Sequence, residues 1–243
     1  MCNEERNRFT RKQLRELFGV ARDLGDNLPD QGELFPDSYG PVVRMENGER
    51  VMSNARWGLP SSAKALFDAA TKRADKLRAK GKPVDFDQLL RMEPDYGTTN
   101  VRKTESKHWK RWLGPANRCL VPMSSFIEPK KRPDGRSDKA IFAIDESQPL
   151  TAFAGIWVPQ WTSVRKMREG ETTNDLYGFL TTKPNKEVEA VHTEAMPVIL
   201  TTPTEWETWL MAEWDEAQAL QRPLPDGSLK VIGIEPYGRN KES

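Results

Sequence analysis

The chain has 243 residues and a net charge of +1, from 37 basic and 36 acidic side chains. This balance neither requires nor excludes a nucleic-acid partner, because a local basic groove matters more than the total charge. No apolar run is long enough to span a membrane, and no apolar segment follows the charged start as it does in a secretory signal, so we expect a cytoplasmic protein without membrane contact.

The first part of the chain predicts a helix followed by a hairpin. Thr10 is a suitable N-cap, and the apolar residues after it recur at helical spacing, which predicts an amphipathic helix over residues 11–23. Residues 26–40 are rich in proline and glycine and predict a loop. Residues 41–45 and 51–52 predict two short strands joined by a turn.

A charged block follows the hairpin. Residues 62–80 are rich in alanine, lysine and arginine and predict a helix that ends before Gly81. Residues 84–97 add one more helical turn. We therefore interpret residues 61–97 as a helical insertion on the surface.

The second half of the chain predicts many short strands. They are residues 119–122, 126–128, 140–144, 152–157, 177–182, 198–200 and 230–234. Residues 160–175 are polar without periodicity and predict a mobile loop. Residues 205–220 predict a final helix, and residues 236–243 a tail.

This order of elements favours an α+β fold with a mainly antiparallel, curved or barrel-like β-sheet and flanking helices. A parallel βαβ sheet is disfavoured, because the strands come in clusters and do not alternate with helices. We expect residues 1–235 to form a single domain.

The cysteines and histidines are few and scattered. Cys2 and Cys119 cannot form a disulfide framework and fit a reducing compartment. Together with His108 and His192 they show no paired ligand spacing, so we expect no metal site. No glycine-rich phosphate-binding motif is present, so we expect no cofactor.

Cys2 becomes the amino-terminal residue if Met1 is removed. It then carries two nucleophiles on one Cα, an amine and a thiol with ordinary pKa values of about 7.7–8.0 and about 8.5. Such a pair suits an aldehyde, because the amine forms an imine and the thiol closes a five-membered thiazolidine. From the sequence alone, Cys2 is equally consistent with a nucleophile of self-cleavage or with an inert residue.

Three further polar residues stand in apolar or turn-rich surroundings. Glu128 ends an apolar run, so it is either an exposed strand-end residue or a half-buried general acid/base with a raised pKa. His192 follows apolar residues and is either a hydrogen-bonded core residue or an acid/base. Asn100 lies where a turn leads into a strand.

Arg56-Trp57-Gly58 is the best candidate for contact with a single DNA strand. An arginine can bind phosphate, a tryptophan can stack on a base, and the glycine permits a close approach. The alternative is a tryptophan buried in a strand. Trp109 and Trp112 lie three residues apart and are better explained as core-facing anchors of a helix.

Taken together, these pieces resemble one family, the SOS response-associated peptidase (SRAP) or abasic-site processing proteins. The resemblance runs from residue 2 to about residue 210. The matching motifs, in order, are Cys2, Arg56-Trp57-Gly58-Leu59, Thr99-Asn100-Val101-Arg102, Arg118-Cys119-Leu120-Val121-Pro122, Phe126-Ile127-Glu128, Ala154-Gly155-Ile156-Trp157, Leu180-Thr181-Thr182, and His192 with Met196-Pro197-Val198-Ile199-Leu200.

The resemblance implies a sensor of abasic sites in single-stranded DNA. Cys2, freed of Met1, would form a thiazolidine crosslink with the ring-opened sugar, and the family is also described as self-processing, with lyase-type or reversal chemistry. By motif position, Asn100 would hold the amino-terminal segment and the sugar, Glu128 would move protons during imine formation, and His192 would act at the sugar oxygen.

The resemblance also implies a DNA channel lined by Pro36, Arg56, Trp57, Arg102 and Thr181. The partner would be single-stranded DNA containing abasic sites, and we expect a monomer, bacterial or phage-encoded. The alternatives are a cysteine peptidase that acts on a protein leader and a module that binds single-stranded DNA without catalysis.

The sequence departs from the family at two places beside the expected site. Asn3-Glu4 replaces the usual Gly-Arg, which removes a phosphate contact and adds a negative charge. Three residues, Thr193-Glu194-Ala195, separate His192 from Met196-Pro197, one more than usual. The neutral amine that imine formation needs also implies that Glu128 is partly buried.

Overall fold

The computed structural model describes residues 4–25 and 32–237. Its strands are β1 (Glu5–Arg6), β2 (Arg22–Asp23), β3 (Glu33–Leu34), β4 (Tyr39–Glu46), β5 (Glu49–Trp57), β6 (Asn100–Val101), β7 (Arg118–Met123), β8 (Ser125–Lys131), β9 (Ser137–Ala143), β10 (Thr151–Val164), β11 (Glu171–Thr182), β12 (Met196–Pro197), β13 (Ile199–Leu200) and β14 (Lys230–Pro236). Its helices are α1 (Arg11–Phe18), α2 (Ala63–Arg78), α3 (Phe86–Arg91), α4 (Lys107–Lys110), α5 (Lys186–Glu189), α6 (Pro203–Met211) and α7 (Trp214–Ala217). Met1 to Asn3, part of the predicted loop 26–40 and most of the predicted tail lie outside the described residues.

A closed ring of strands forms a barrel. β5 pairs with β4, β4 with β7, β7 with β10, and β10 with β11, all antiparallel. A parallel pairing of β11 with β5, with Tyr177 opposite Trp57, closes the ring. Closure removes the free sheet edges that would otherwise bind further strands. The predicted α+β fold with a mainly antiparallel, barrel-like sheet is confirmed.

A second sheet carries the beginning of the described chain. Its strand order is β14-β9-β8-β1-β3, so the short strand β1 lies between β8 and β3. Glu5 is paired with Phe126 on one side and with Leu34 on the other. The chain therefore enters the fold along β8, the strand that carries Glu128.

The core divides into two apolar clusters on opposite faces of the barrel strands. Alternate residues of a strand point to opposite faces, so Val42 belongs to one cluster and Val43 to the other. The cluster of Val42 fills the barrel. The cluster of Val43 lies outside it, where α6 packs and the Trp209 indole N–H donates to the Cys119 carbonyl at 3.0 Å.

The helices of the charged block form as predicted. Ser62 caps α2 by accepting a hydrogen bond from the Ala65 N–H at 3.2 Å, and the buried Ala70 and Ala74 give α2 its packed face. α3 follows within the same block. Whether this block is an insertion relative to the family remains a prediction.

The predicted loop over residues 160–175 is wrong, because most of this segment is a β-hairpin. β10 and β11 continue beyond the barrel, with Trp161 opposite Asn174 and Thr162 opposite Thr173. Polar side chains on this extension hide the alternation that would have indicated strands. Buried Arg165 fixes the hairpin base by donating to the Gly58 carbonyl at 3.1 Å.

Two predicted helices end earlier than expected. α1 begins after the Thr10 cap but ends at Gly19, whose φ of 61° is the left-handed conformation that glycine adopts easily. α6 is followed by an extended residue, Ala212, so the predicted helix over 205–220 is divided into α6 and α7. No helix within residues 4–25 and 32–237 has the length and apolar character needed to cross a membrane.

Candidate functional site

The amino-terminal strand lies directly against Glu128. The Ile127 N–H donates to the Glu4 carbonyl at 3.1 Å, so the ladder between β1 and β8 extends to the residue before Glu128. Cys2 lies outside the described residues. The order of the chain nevertheless makes Glu4, two residues after Cys2, a neighbour of Glu128 on the paired strand.

Glu128 is fully buried, with an exposed fraction of 0%. Burial raises the pKa of its carboxyl group to about 7, because the charged form loses hydration. The hypothesis that Glu128 is at least partly buried is confirmed. Near neutral pH both its protonated and its ionised forms are populated, which suits a group that gives and takes protons.

His192 is the partner of Glu128. Its Nε2 lies 3.9 Å from Glu128 Oε2 and also 3.9 Å from Glu194 Oε2. The His192 N–H donates to the Val188 carbonyl at 2.7 Å, so the end of α5 places the ring. Burial and the nearby Lys131 lower the pKa of His192. The structure thus pairs a neutral imidazole with a carboxyl group that titrates near neutrality.

Asn100 and Thr181 lie on paired strands. β6 runs parallel to β11 with Val101 opposite Leu180, and Thr181 is opposite Pro197 of β12. Asn100 and Thr181 are buried, and the Asn100 amide donates to the Thr99 hydroxyl at 2.7 Å. The end of β11 therefore joins the strand of Asn100 to the segment that follows His192.

Trp57 does not line an open channel. It is fully buried and packs against Tyr177 and Phe179, with ring centroids 6.2 Å and 5.3 Å away. Its indole N–H donates to the Thr99 carbonyl at 3.2 Å, beside Asn100. Trp57 is thus the tryptophan buried at a strand end that the sequence also allowed, and its stacking on a base stays a prediction.

Arg56 is also buried and its charge is paired. Its Nη2 donates to Asp37 Oδ2 at 2.7 Å, and the Arg165 Nε donates to Asp37 Oδ1 at 3.2 Å. Partial burial alone would raise the pKa of Asp37. Hydrogen bonds from Arg56 and Lys166 outweigh this effect and lower the pKa to about 2. The Arg56 side chain is only 6% exposed, and its direct binding of phosphate stays a prediction.

Gly58 has a different role from the predicted one. Its φ is 138°, and an added Cβ would lie 2.4 Å from Arg165 Nη2. The close approach that this glycine permits is therefore to a buried arginine of the same chain and not to DNA.

Pro36 and Arg102 are the predicted DNA contacts that reach the surface. Arg102 donates to the Glu194 carbonyl, which ties it to the segment after His192. Phe35 beside Pro36 is 43% exposed, which makes it an accessible aromatic ring in this region. Thr181, in contrast, is 2% exposed.

Sequence reasoning missed the role of Lys139. Its Nζ lies 2.6 Å from Glu4 Oε1, in a pair whose side chains are 15% and 7% exposed. The negative charge expected from Glu4 is therefore neutralised within the fold. No local pattern in the sequence links residues 135 positions apart, so only the register of the second sheet reveals this pair.

The comparisons with known proteins agree with one another on the fold. A family model described as "SOS response associated peptidase (SRAP)" matches residues 1–237. A crystal structure from Bacteroides thetaiotaomicron is 17% identical with a TM-score of 0.67 and covers 100% of this chain and 95% of its own. One from Bordetella bronchiseptica is 18% identical with a TM-score of 0.62, covering 98% and 100%. A phage-related protein from Bordetella bronchiseptica is 16% identical with a TM-score of 0.59, covering 97% and 94%. Comparison with curated proteins gives no match.

Proposed function

Since the chain belongs to the SOS response associated peptidase (SRAP) family, we propose that it binds abasic sites in single-stranded DNA and crosslinks them through Cys2 after removal of Met1. The observation that supports this most is the pair of buried Glu128 and half-buried His192, 3.9 Å apart, beside the strand that begins three residues after Cys2.

Covalent geometry supports the reach of Cys2. Consecutive Cα atoms are about 3.8 Å apart, so the Cα of Cys2 lies within about 7.6 Å of that of Glu4. Glu4 is hydrogen-bonded to Ile127, the neighbour of Glu128. We therefore propose that the nucleophile of Cys2 acts on the Glu128 side of this strand.

The proposed reaction releases one water molecule. The Cys2 amine adds to the aldehyde carbon of the ring-opened sugar, and the resulting carbinolamine loses water to form an imine. The thiol then adds to the imine carbon while its proton passes to nitrogen, which closes the thiazolidine. Protonated Glu128 would donate to the departing hydroxyl, and neutral His192 would exchange a proton with the sugar oxygen during ring opening.

We propose that DNA contacts the rim of the site. Pro36, Phe35 and Arg102 are exposed and offer a ring face and a cation. The buried residues would not touch the DNA but would hold in place the strands that carry the contacting residues. They are Arg56, Trp57 and Thr181. Asn100 would hold the amino-terminal segment and the sugar.

The test is the intact mass of the protein after incubation with an abasic single-stranded oligonucleotide. We expect a protein that lacks Met1 and gains the mass of the oligonucleotide less one water, and we expect no adduct with Cys2→Ala. A processed Cys2 that forms no adduct with the folded protein would contradict the crosslinking function and would favour a non-catalytic DNA-binding module.

Self-processing is tested on the same samples. We propose that the site also assists removal of the residue before Cys2, as the family name implies. If so, Glu128→Gln retains Met1 when the protein is made by cell-free translation without aminopeptidase. Equal processing of both proteins would assign the removal of Met1 to another enzyme.

A further inference from the structure

Strand β1 carries a second buried carboxyl group, that of Glu5. Its exposed fraction is 0%. The Tyr177 hydroxyl donates to Glu5 Oε1 at 3.3 Å, while Glu5 Oε2 has no hydrogen-bond partner in the part of the chain that the structure describes. The proposed chemistry does not use this group.

Glu5 is packed between apolar side chains of both neighbouring strands. Phe126 of β8 and Leu34 of β3 lie opposite it and are buried. Gly40 of β4 leaves room for the phenol, because an added Cβ would lie 2.8 Å from the Tyr177 hydroxyl. The space around Glu5 therefore fits a carboxyl group but gives it little contact with water.

The cations near β1 are held by other groups. Arg6 is paired with Glu33 and Glu235, at 2.8 Å and 3.0 Å. Lys139 of β9 is paired with Glu4 at 2.6 Å. No ion pair joins Glu5 to a cation among residues 4–25 and 32–237. Tyr177 of β11 is an ionisable group that contacts Glu5 directly, and the strands paired with β1 also carry Glu33 on β3 and Glu128, Lys130 and Lys131 on β8.

Burial without a cation keeps the carboxyl group neutral. It raises the pKa of Glu5 from 4.5 to about 8, because an ionised carboxylate in apolar surroundings is costly. Between pH 4.5 and about 8, Glu5 is therefore protonated while it is buried in the attached strand, and it is ionised when the strand is released into water. By linkage, seating is most favourable below the lower value and weakens as the pH rises towards the upper one.

Main-chain hydrogen bonds at both ends of β1 supplement its two short ladders. The Ser124 N–H donates to the Arg6 carbonyl at 2.9 Å, the Ile127 N–H to the Glu4 carbonyl at 3.1 Å, and the Asn7 N–H to the Gly32 carbonyl at 3.2 Å. The ion pairs of Glu4 and Arg6 add to these bonds. A strand of two residues has little apolar area of its own, so a change of charge on its buried side chain shifts the balance between the attached and the released strand.

We propose that Glu5 is a positioning residue of the candidate site. Its neutral carboxyl group, hydrogen-bonded to the Tyr177 hydroxyl, holds β1 on β8 next to Glu128, whereas its ionisation releases the strand. The positioning of β1 is a property of the fold, and only its consequence for Cys2 rests on the proposed function.

The first test is hydrogen exchange of the Ser124 and Ile127 amides between pH 5 and 8, in the wild type and in Glu5→Gln. We expect wild-type protection factors to fall with pH, by up to about tenfold per pH unit. Glutamine keeps the size and polarity of the side chain but cannot ionise, so the variant should show no such fall. The same pH dependence in both proteins would overturn the proposal.

A second measurement does not depend on the variant. The carboxyl carbon shift of Glu5 in the ¹³C-labelled wild type should titrate well above 4.5, and a midpoint near the ordinary value would overturn the proposal. Tyr177→Phe removes the hydroxyl and should lower protection of the same amides at every pH. If it changes nothing, the Tyr177 contact does not hold β1.

The crosslinking assay then separates the two proposals. Near pH 5 we expect the wild type and Glu5→Gln to crosslink at the same rate. Towards pH 8 we expect the ratio of the Glu5→Gln rate to the wild-type rate to rise. Titration of Glu128 is common to both proteins and cancels in this ratio. If no adduct forms while protection still depends on pH in the wild type alone, the proposed function fails and the strand-positioning role stands.

Discussion

The barrel and the neighbouring β1–β8 ladder bury polar groups in different ways. At the barrel, buried Arg165 and Arg56 share Asp37 as a counter-ion, and Trp57 gives its N–H to the Thr99 carbonyl. Along β1 and β8, Glu5 and Glu128 are buried as carboxyl groups with raised pKa values. The first arrangement holds strands in place, whereas the second leaves groups able to exchange protons.

The largest effect is expected from the barrel. Trp57→Ala should lower the free energy of unfolding by about 3–5 kcal/mol, because it removes a buried ring and leaves a cavity. Chemical denaturation measures this, and Trp57→Phe should cost less. If the Trp57→Ala protein keeps its stability and loses only DNA binding, Trp57 does not serve to hold the barrel strands. Such a result would favour Trp57 as a residue that stacks on a base.

Glu128→Gln should reduce the crosslinking rate by about 10²-fold or more, the usual contribution of a positioned acid or base. Because the acid form is required, ionisation of Glu128 should also lower the wild-type rate above pH 7, and the variant should show only the part of the decline that Glu5 causes.

The matched control is Glu194→Gln. Glu194 lies at the same distance of 3.9 Å from His192, but its side chain is 75% exposed. We expect the crosslinking rate of Glu194→Gln to remain within a few-fold of the wild-type rate. Equal losses in the two variants would show that charge near His192, and not proton transfer by Glu128, determines the rate.

Lys139→Met should cost about 1–3 kcal/mol of stability, because it removes a charged hydrogen-bond donor from the buried Glu4 carboxylate. Adding Glu4→Gln should recover most of the loss. Thermal or chemical unfolding of the four proteins of this cycle measures the coupling, and independent effects of the two substitutions would show that the pair does not fasten β1.

The smallest effect is expected at the exposed rim. Arg102→Ala should change stability by less than about 0.5 kcal/mol and should weaken binding of single-stranded DNA, more at low than at high salt. Fluorescence anisotropy at two salt concentrations tests this. Unchanged binding at both would remove Arg102 from the proposed DNA surface.

Much of the fold could be predicted from local patterns. The Thr10 cap and the short apolar runs of β7, β8, β9 and the barrel parts of β10 and β11 predicted elements that overlap those observed. The hairpin beyond the barrel could not be predicted in this way. Its strands carry polar residues on both faces, so they lack the alternation of polar and apolar residues that indicates a strand. Its order depends on Arg165, whose partners are distant in sequence.

The candidate site divides in the same way. Glu128 and His192 were predicted through the resemblance, and the structure places them together. The burial of Trp57 could not be predicted, because arginine, tryptophan and glycine in succession are equally consistent with a binding surface and with a buried strand end. Glu5 gave no signal, because a glutamate in a charged amino-terminal stretch looks solvated until β8 and β3 are seen on either side of it.

The pairing of β1 with β8 has a consequence for biosynthesis. Glu5 is bound to Phe126, a strand partner made much later in translation. At about 5–20 residues per second, the ribosome needs on the order of ten seconds to supply that partner. During this interval the nascent chain has no β8 on which to seat its first strand, so the segment ahead of Glu5 stays open to processing enzymes. Maturation of the amino terminus can thus precede the folding step that encloses it.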